Sequence, residues 1–141
     1  MAAILEFRGV KFLNATPHDV TVYDADGKTA LFTIPRSGFV ARLAEEVEDA
    51  GNIAGIPVVR KRYTQPYAIA GLAKRSLREL VEELVAEDYV NVVIVSMPML
   101  KAAAETLAGL DVLVVAPDTG PDSVVRDAAG NILGIRRFQT V

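Results

Sequence analysis

The chain has 141 residues, a formal net charge of −3, 51% hydrophobic and 23% charged residues, no cysteine and a single histidine. This composition fits one globular domain over residues 1–141 and argues against disorder, disulfides, thiolate nucleophiles, iron–sulfur clusters and the usual zinc sites. The negative balance provides no global field to attract a phosphate backbone or an anionic membrane, so a nucleic-acid partner would need a local basic patch.

In chain order, the opening M-A-A-I-L-E-F-R carries Glu6 where a secretory signal would be apolar. The longest apolar runs, 90–100 and 110–117, are broken by polar residues and fall short of the ~20 residues a spanning helix needs. A cytoplasmic protein without a membrane partner is expected. Scarce amide side chains and abundant Ala, Val, Glu and Arg are a composition that suits a thermophile.

Residues 11–14 and 19–23 alternate apolar and polar, and D-A-D-G at 24–27 is a turn signal before K-T-A-L-F-T-I-P, which predicts a hairpin. A strand from Phe39 to about Val47 follows the R-S-G turn. Residues 56–63, bounded by Gly55 and Pro66, form another strand, with Pro57 pointing to an edge or an irregular start. The first half therefore reads as mostly antiparallel.

In S-L-R-E-L-V-E-E-L-V-A-E, Leu77, Leu80, Val81, Leu84 and Val85 repeat at helical spacing, and glutamates cover the opposite face. Ser76 and Glu79 form a capping box, and Arg78 and Glu82 are an i,i+4 pair. V-N-V-V-I-V-S at 90–96 and D-V-L-V-V-A-P at 111–117 are the continuous β-branched runs of strands buried on both faces. Between them, P-M-L-K-A-A-A-E-T-L-A-G places Pro98 in a first helical turn and Gly109 at a helix end. About ten helical residues rise ~15 Å, close to the ~20 Å of six strand residues, so the helix returns the chain for a parallel strand in a right-handed βαβ unit.

The tail S-V-V-R-D-A-A-G-N-I-L-G-I-R-R-F predicts a closing hairpin with its turn at 127–131. The expected fold is thus α/β or α+β: a mixed sheet with an antiparallel N-terminal half, one βαβ unit, a C-terminal hairpin and at least two helices.

Candidate chemistry is sparse. His18 could act as acid or base, since a free histidine titrates near neutrality, although Asp19 would point to the opposite face of a strand already begun. The alternative is a turn in which Asn14 and Thr16 bond local backbone and Pro17 fixes the bend. No G-x-S-x-G elbow, phosphate-binding glycine loop or calcium loop occurs, so no cofactor and no metal are expected. In open α/β sheets ligands gather beyond the carboxyl ends of parallel strands, and those ends carry Ser96, Asp118 and Thr119 here. R-K-R-Y at 60–63, with Tyr67, mixes basic and aromatic residues as single-strand binders do, and Arg136-Arg137-Phe138 would enlarge that patch if the tail paired nearby.

Four segments, L-N-A-T-P-H-D-V-T-V-Y, I-P-R-S-G-F-V-A-R, G-I-P-V-V and V-R-D-A-A-G-N-I-L-G-I-R-R-F, resemble in the same order a family of small uncharacterised phage, viral and prokaryotic proteins with an N-terminal Leu-Asn-x-Thr-Pro-His motif. The resemblance carries no activity with it. It implies an emphasis on Asn14, Thr16, Pro17, His18, Ser37, Gly38, Arg42, Arg126, Asp127 and Gly130. The charged helix in the middle and the A-P-D-T-G-P-D loop depart from the pattern.

The expected function is a noncatalytic binding or self-associating protein, because catalytic pairs are missing and the apolar fraction is high for a short chain. Its partners would be further copies of itself, and an unknown protein or small polar ligand held by Asn14, Thr16, Arg42, Ser96, Asp118 and Thr119. One alternative is a small hydrolase-like enzyme with His18, Arg126 and Asp127 as catalytic residues. Another is a nucleic-acid accessory protein using the R-K-R-Y surface.

Overall fold

The computed structural model describes residues 3–141, with the side chain of Thr64 left out. The fold is α+β and rich in sheet. The strands are β1 (Ile4–Phe7), β2 (Val10–Asn14), β3 (Val20–Tyr23), β4 (Ala30–Ile34), β5 (Val40–Ile53), β6 (Ile56–Ala70), β7 (Ala73–Ser76), β8 (Val92–Ile94), β9 (Leu113–Pro117), β10 (Val124–Arg126), β11 (Ile132–Ile135) and β12 (Phe138–Gln139). The helices are α1 (Leu77–Ala86) and α2 (Leu100–Thr106), the latter preceded by a 3₁₀ turn over Met97–Met99.

The strands form three sheets in place of the one mixed sheet expected, ordered β1-β2-β8-β9-β12, β10-β11-β3-β4 and β5-β6-β7. The first is central, and its alternation explains why one sheet was not enough. Leu13, Val93, Val95, Val114 and Ala116 face the layer of α1, α2 and the base of β5-β6, where Leu77, Leu80, Val81, Leu100 and Ala103 are buried. Ile94 and Val115 face the other way, onto Val20, Val22, Ile34 and Ile135 of the second sheet. A β-branched run buried on both faces needs a cover on each side. Helices supply one cover and a second sheet supplies the other, stitched by the stacked rings of Phe7 and Phe32, whose centroids lie 3.9 Å apart.

The helix–strand pattern lies where the sequence places it. The Ser76 hydroxyl accepts the Glu79 amide at the start of α1, and Arg78 Nε reaches Glu82 at 2.7 Å. β8 and β9 are parallel neighbours in register at Val93 and Val114, joined through the 3₁₀ turn and α2 with Pro98 in its first turn. β10 and β11 form the closing hairpin. The N-terminal half is antiparallel within its own hairpins, but β2 runs parallel to β8 and β3 parallel to β11, so both sheets are mixed. Among the described residues no helix is long and apolar enough to cross a membrane.

The largest departure from expectation is the β5-β6 hairpin. Its strands run for 14 and 15 residues, where the sequence suggests two shorter ones. They are joined by a two-residue turn at Ala54 (φ 53°) and Gly55 (φ 83°), the double positive φ that a type I′ hairpin demands. Near the base, Ala41 and Ala68 are buried against the helices. From Glu45 to Tyr63 every residue but the half-buried Val58 is exposed. This outer part is a two-stranded arm roughly 25–30 Å long at about 3.3 Å per residue.

Candidate functional site

The turn that leads from β2 into β3 is built on a buried asparagine. Asn14 is fully buried, and its Nδ2 donates to the carbonyls of His18 (2.8 Å) and Ile34 (3.1 Å). Its Oδ1 accepts from the Thr16 amide (3.0 Å) and lies 2.7 Å from the Thr16 hydroxyl. That hydroxyl also lies 2.9 Å from the His18 carbonyl, so its one proton serves either acceptor. Every polar group of Asn14 is thereby used inside the protein, which fixes where residue 18 emerges. His18 itself is exposed, and among the described residues neither ring nitrogen forms a hydrogen bond. Asp19 turns away to bond the Arg36 amide at 2.9 Å and its Nε at 3.1 Å. The amide bond, then the side-chain bond, hold the Asp19 carboxyl below the usual carboxylate range. It does not orient the histidine.

The emerging His18 borders a cleft of about 560 Å³ at the carboxyl ends of the parallel strands β2, β8 and β9. Thr16, His18, Arg42, Ser96 and Thr119 line it, five of the residues that the sequence picks out from four separate segments. Its apolar wall, which the sequence did not mark, comes from Met97 and from Ile132 to Ile135 of β11. The alternation in I-L-G-I was the available signal, but nothing in a single strand states which cleft it faces. Gly134 is required by close approach: a Cβ there would lie 2.4 Å from the Thr21 carbonyl oxygen and 2.8 Å from the Tyr23 ring. Arg42 is exposed and, among the described residues, forms no ion pair. Arg42 and Ser96 also border a wider groove of about 1260 Å³, which runs between the base of the arm and α2.

Four residues expected in the site stand outside the cleft lining. Asp118 accepts from Arg137 Nε at 2.5 Å and from the Gly120 amide at 2.9 Å, and these two bonds, the arginine first, hold its carboxyl below the usual range. Asp127 is an Asx turn residue. It accepts the amides of Ala129 and Asn131 at 2.9 Å each, and the Asn131 bonds chiefly lower its carboxyl. Arg126 reaches the Gly130 carbonyl at 2.7 Å across the same turn. Asn14 lies beneath the cleft as its support, while Arg126 and Asp127 build the β10–β11 hairpin.

The basic residues of R-K-R-Y lie on the arm and face the acidic strand β5. Arg60 and Arg62 approach Glu48 at 3.6 and 3.5 Å, and Lys61 approaches Glu45 at 3.4 Å. The tail does not join them: Phe138 and Gln139 pair with β9, and Arg137 is bound to Asp118. The patch is therefore neutralised within its own hairpin. Among the described residues no group of three or more His, Asp or Glu is placed to hold a metal.

Comparison with protein-family models, with curated proteins and with solved structures finds no match for this chain.

Proposed function

We propose that this chain is a noncatalytic binding protein of viral or prokaryotic origin that works by associating with further copies of itself through the β5-β6 arm. One observation carries the reading. Val47, Ile53, Ile56, Val59 and Tyr63 are between 51% and 69% exposed on a ribbon only two strands wide. Two-stranded hairpins are marginal in water by themselves, and exposed apolar residues clustered on one element favour a covering surface. The test replaces residues 46–62 by Asn-Gly, which closes Glu45 onto Tyr63 with a type I′ turn. The intact chain is expected to sediment as a multiple of one chain and the shortened chain as one. An intact chain of single mass at micromolar concentration removes the reading.

A second reading rests on a separate observation, the exposed imidazole of His18 beside Ser96 and Arg42 in the cleft. It makes the chain a small hydrolase-like enzyme with His18 as acid or base. No side-chain hydrogen bond joins His18, Ser96 and Arg42 among the described residues, whereas a working nucleophile and base are normally coupled, so this reading ranks second. Hydrolysis of nitrophenyl esters or phosphates that disappears in His18→Gln would raise it, and equal background rates in both chains would end it.

A further inference from the structure

The arm has a chemical polarity. Between the register shifts at Leu43/Glu45 and at Asp49/Asn52 lies a regular ladder, in which Glu45, Glu46, Val47, Glu48 and Asp49 oppose Tyr63, Arg62, Lys61, Arg60 and Val59. β5 thus carries four carboxylates over these five positions, and β6 carries three cations. Among the described residues both outer edges are open along this stretch, because β5 pairs only with β6, and β7 covers β6 only from Tyr67 to Ala70. Each open edge presents unpaired backbone donors and acceptors, a template for another strand.

The charges decide which strand can be added. A two-fold contact of β5 with β5 sets carboxylates against carboxylates, and β6 with β6 sets cations against cations. Like charges directly opposite destabilise a sheet, while opposite charges support it. Only β5 of one copy against β6 of the next is complementary. β5 and β6 already run antiparallel, so this contact continues the same antiparallel sheet with every arm pointing the same way. It repeats between copies the pairing found within one. Glu46 identifies what the second partner would supply: it stands opposite Arg62, yet among the described residues Arg60 and Arg62 both pair with Glu48, and Glu46 has no cation of its own.

We infer that copies of this chain join head to tail, the open acidic edge of β5 in one copy pairing with the open basic edge of β6 in the next. This inference rests on the self-association reading above and specifies its geometry. A contact between two different surfaces leads to a ring or a filament, not to a closed two-fold dimer.

The chain contains no cysteine, so single cysteines report the contact cleanly. Glu46→Cys and Arg62→Cys both fall on the exposed arm, away from the buried core. Full-length chains carrying one or the other are oxidised to disulfides, separately and as an equal mixture, because a disulfide needs Cα atoms within about 7 Å, whereas equivalent residues of successive copies lie two strand spacings, about 10 Å, apart. The expected result is a cross-linked pair in the mixture and none in either chain alone. Cross-linking of Glu46→Cys alone, or of Arg62→Cys alone, indicates a two-fold contact and overturns the inference. Absence of cross-linking in all three samples, with the intact chain still sedimenting as a multiple, overturns the edge pairing and leaves self-association standing. A single-chain mass for the intact protein overturns both.

Discussion

The body and the arm of this protein are held together by opposite means. In the body, β8 and β9 are buried on both faces, and the polar groups that enter the interior, such as Asn14 and Ser123, are fully engaged. Among the described residues no buried side-chain nitrogen or oxygen lacks a partner. In the arm, a single ladder of backbone bonds and exposed ion pairs holds two strands with solvent on both faces. Exposed ion pairs contribute little each, about 0–1 kcal/mol. The body is therefore stable by virtue of what it buries, and the arm has much still to bury. Folding of the chain accounts for the first, and the self-association proposed above would account for the second.

That contrast can be broken most strongly from the body side. Asn14→Ala leaves the Thr16 amide and the Ile34 carbonyl unsatisfied in the interior, at a cost of about 3 kcal/mol. Thermal or urea unfolding should record the loss, while the sedimentation mass of the folded protein stays unchanged. A smaller loss, about 2 kcal/mol, is expected for Gly134→Ala, because the added methyl meets the Thr21 carbonyl and the Tyr23 ring. A melting temperature equal to that of the unaltered chain would show that β11 and β3 do not approach as closely as described.

Acid should act on the body's turns. The carboxyls of Asp19, Asp26, Asp118 and Asp127 all lie below the ordinary aspartate value of 3.8, held there by backbone amides and, for Asp118, first by Arg137. A carboxyl lowered on folding stabilises the folded state above its unfolded value, and that stabilisation is lost as pH falls through the folded value. Stability should therefore be level from neutrality towards about pH 5 and fall below 3.8, and Asp118→Asn should flatten the acid limb of the profile. The smallest effect on stability, under about 1 kcal/mol, is expected from shortening the arm, since its residues leave little buried surface behind. The same change should have the largest effect on mass.

The sequence was most legible where one chain segment satisfies itself. The capping box and apolar stripe located α1, whose ends are set by Ser76 and Glu87. The two β-branched runs located β8 and β9, and D-A-A-G-N located the last hairpin. The full length of the arm was illegible for a physical reason. Its two register shifts break the alternation, and with both faces in water no face need be apolar, so the strands predicted at 39–47 and 56–63 fall short of the observed ones. β1 and β7 are only four residues each, too short to carry a period. Five of the expected site residues meet in the cleft because the carboxyl ends of adjacent parallel strands must lie side by side. Arg126 and Asp127 lie elsewhere, as the sequence could not separate a turn-forming aspartate from a site-forming one.

The most direct test of the account is sedimentation of the intact chain and the chain shortened at 46–62, at equal micromolar concentration and low salt. The account predicts a multiple of the chain mass for the first and a single chain mass for the second, with both folded and melting at nearly the same temperature. Equal masses for the two would contradict it, since the arm would then add nothing that the body does not already provide.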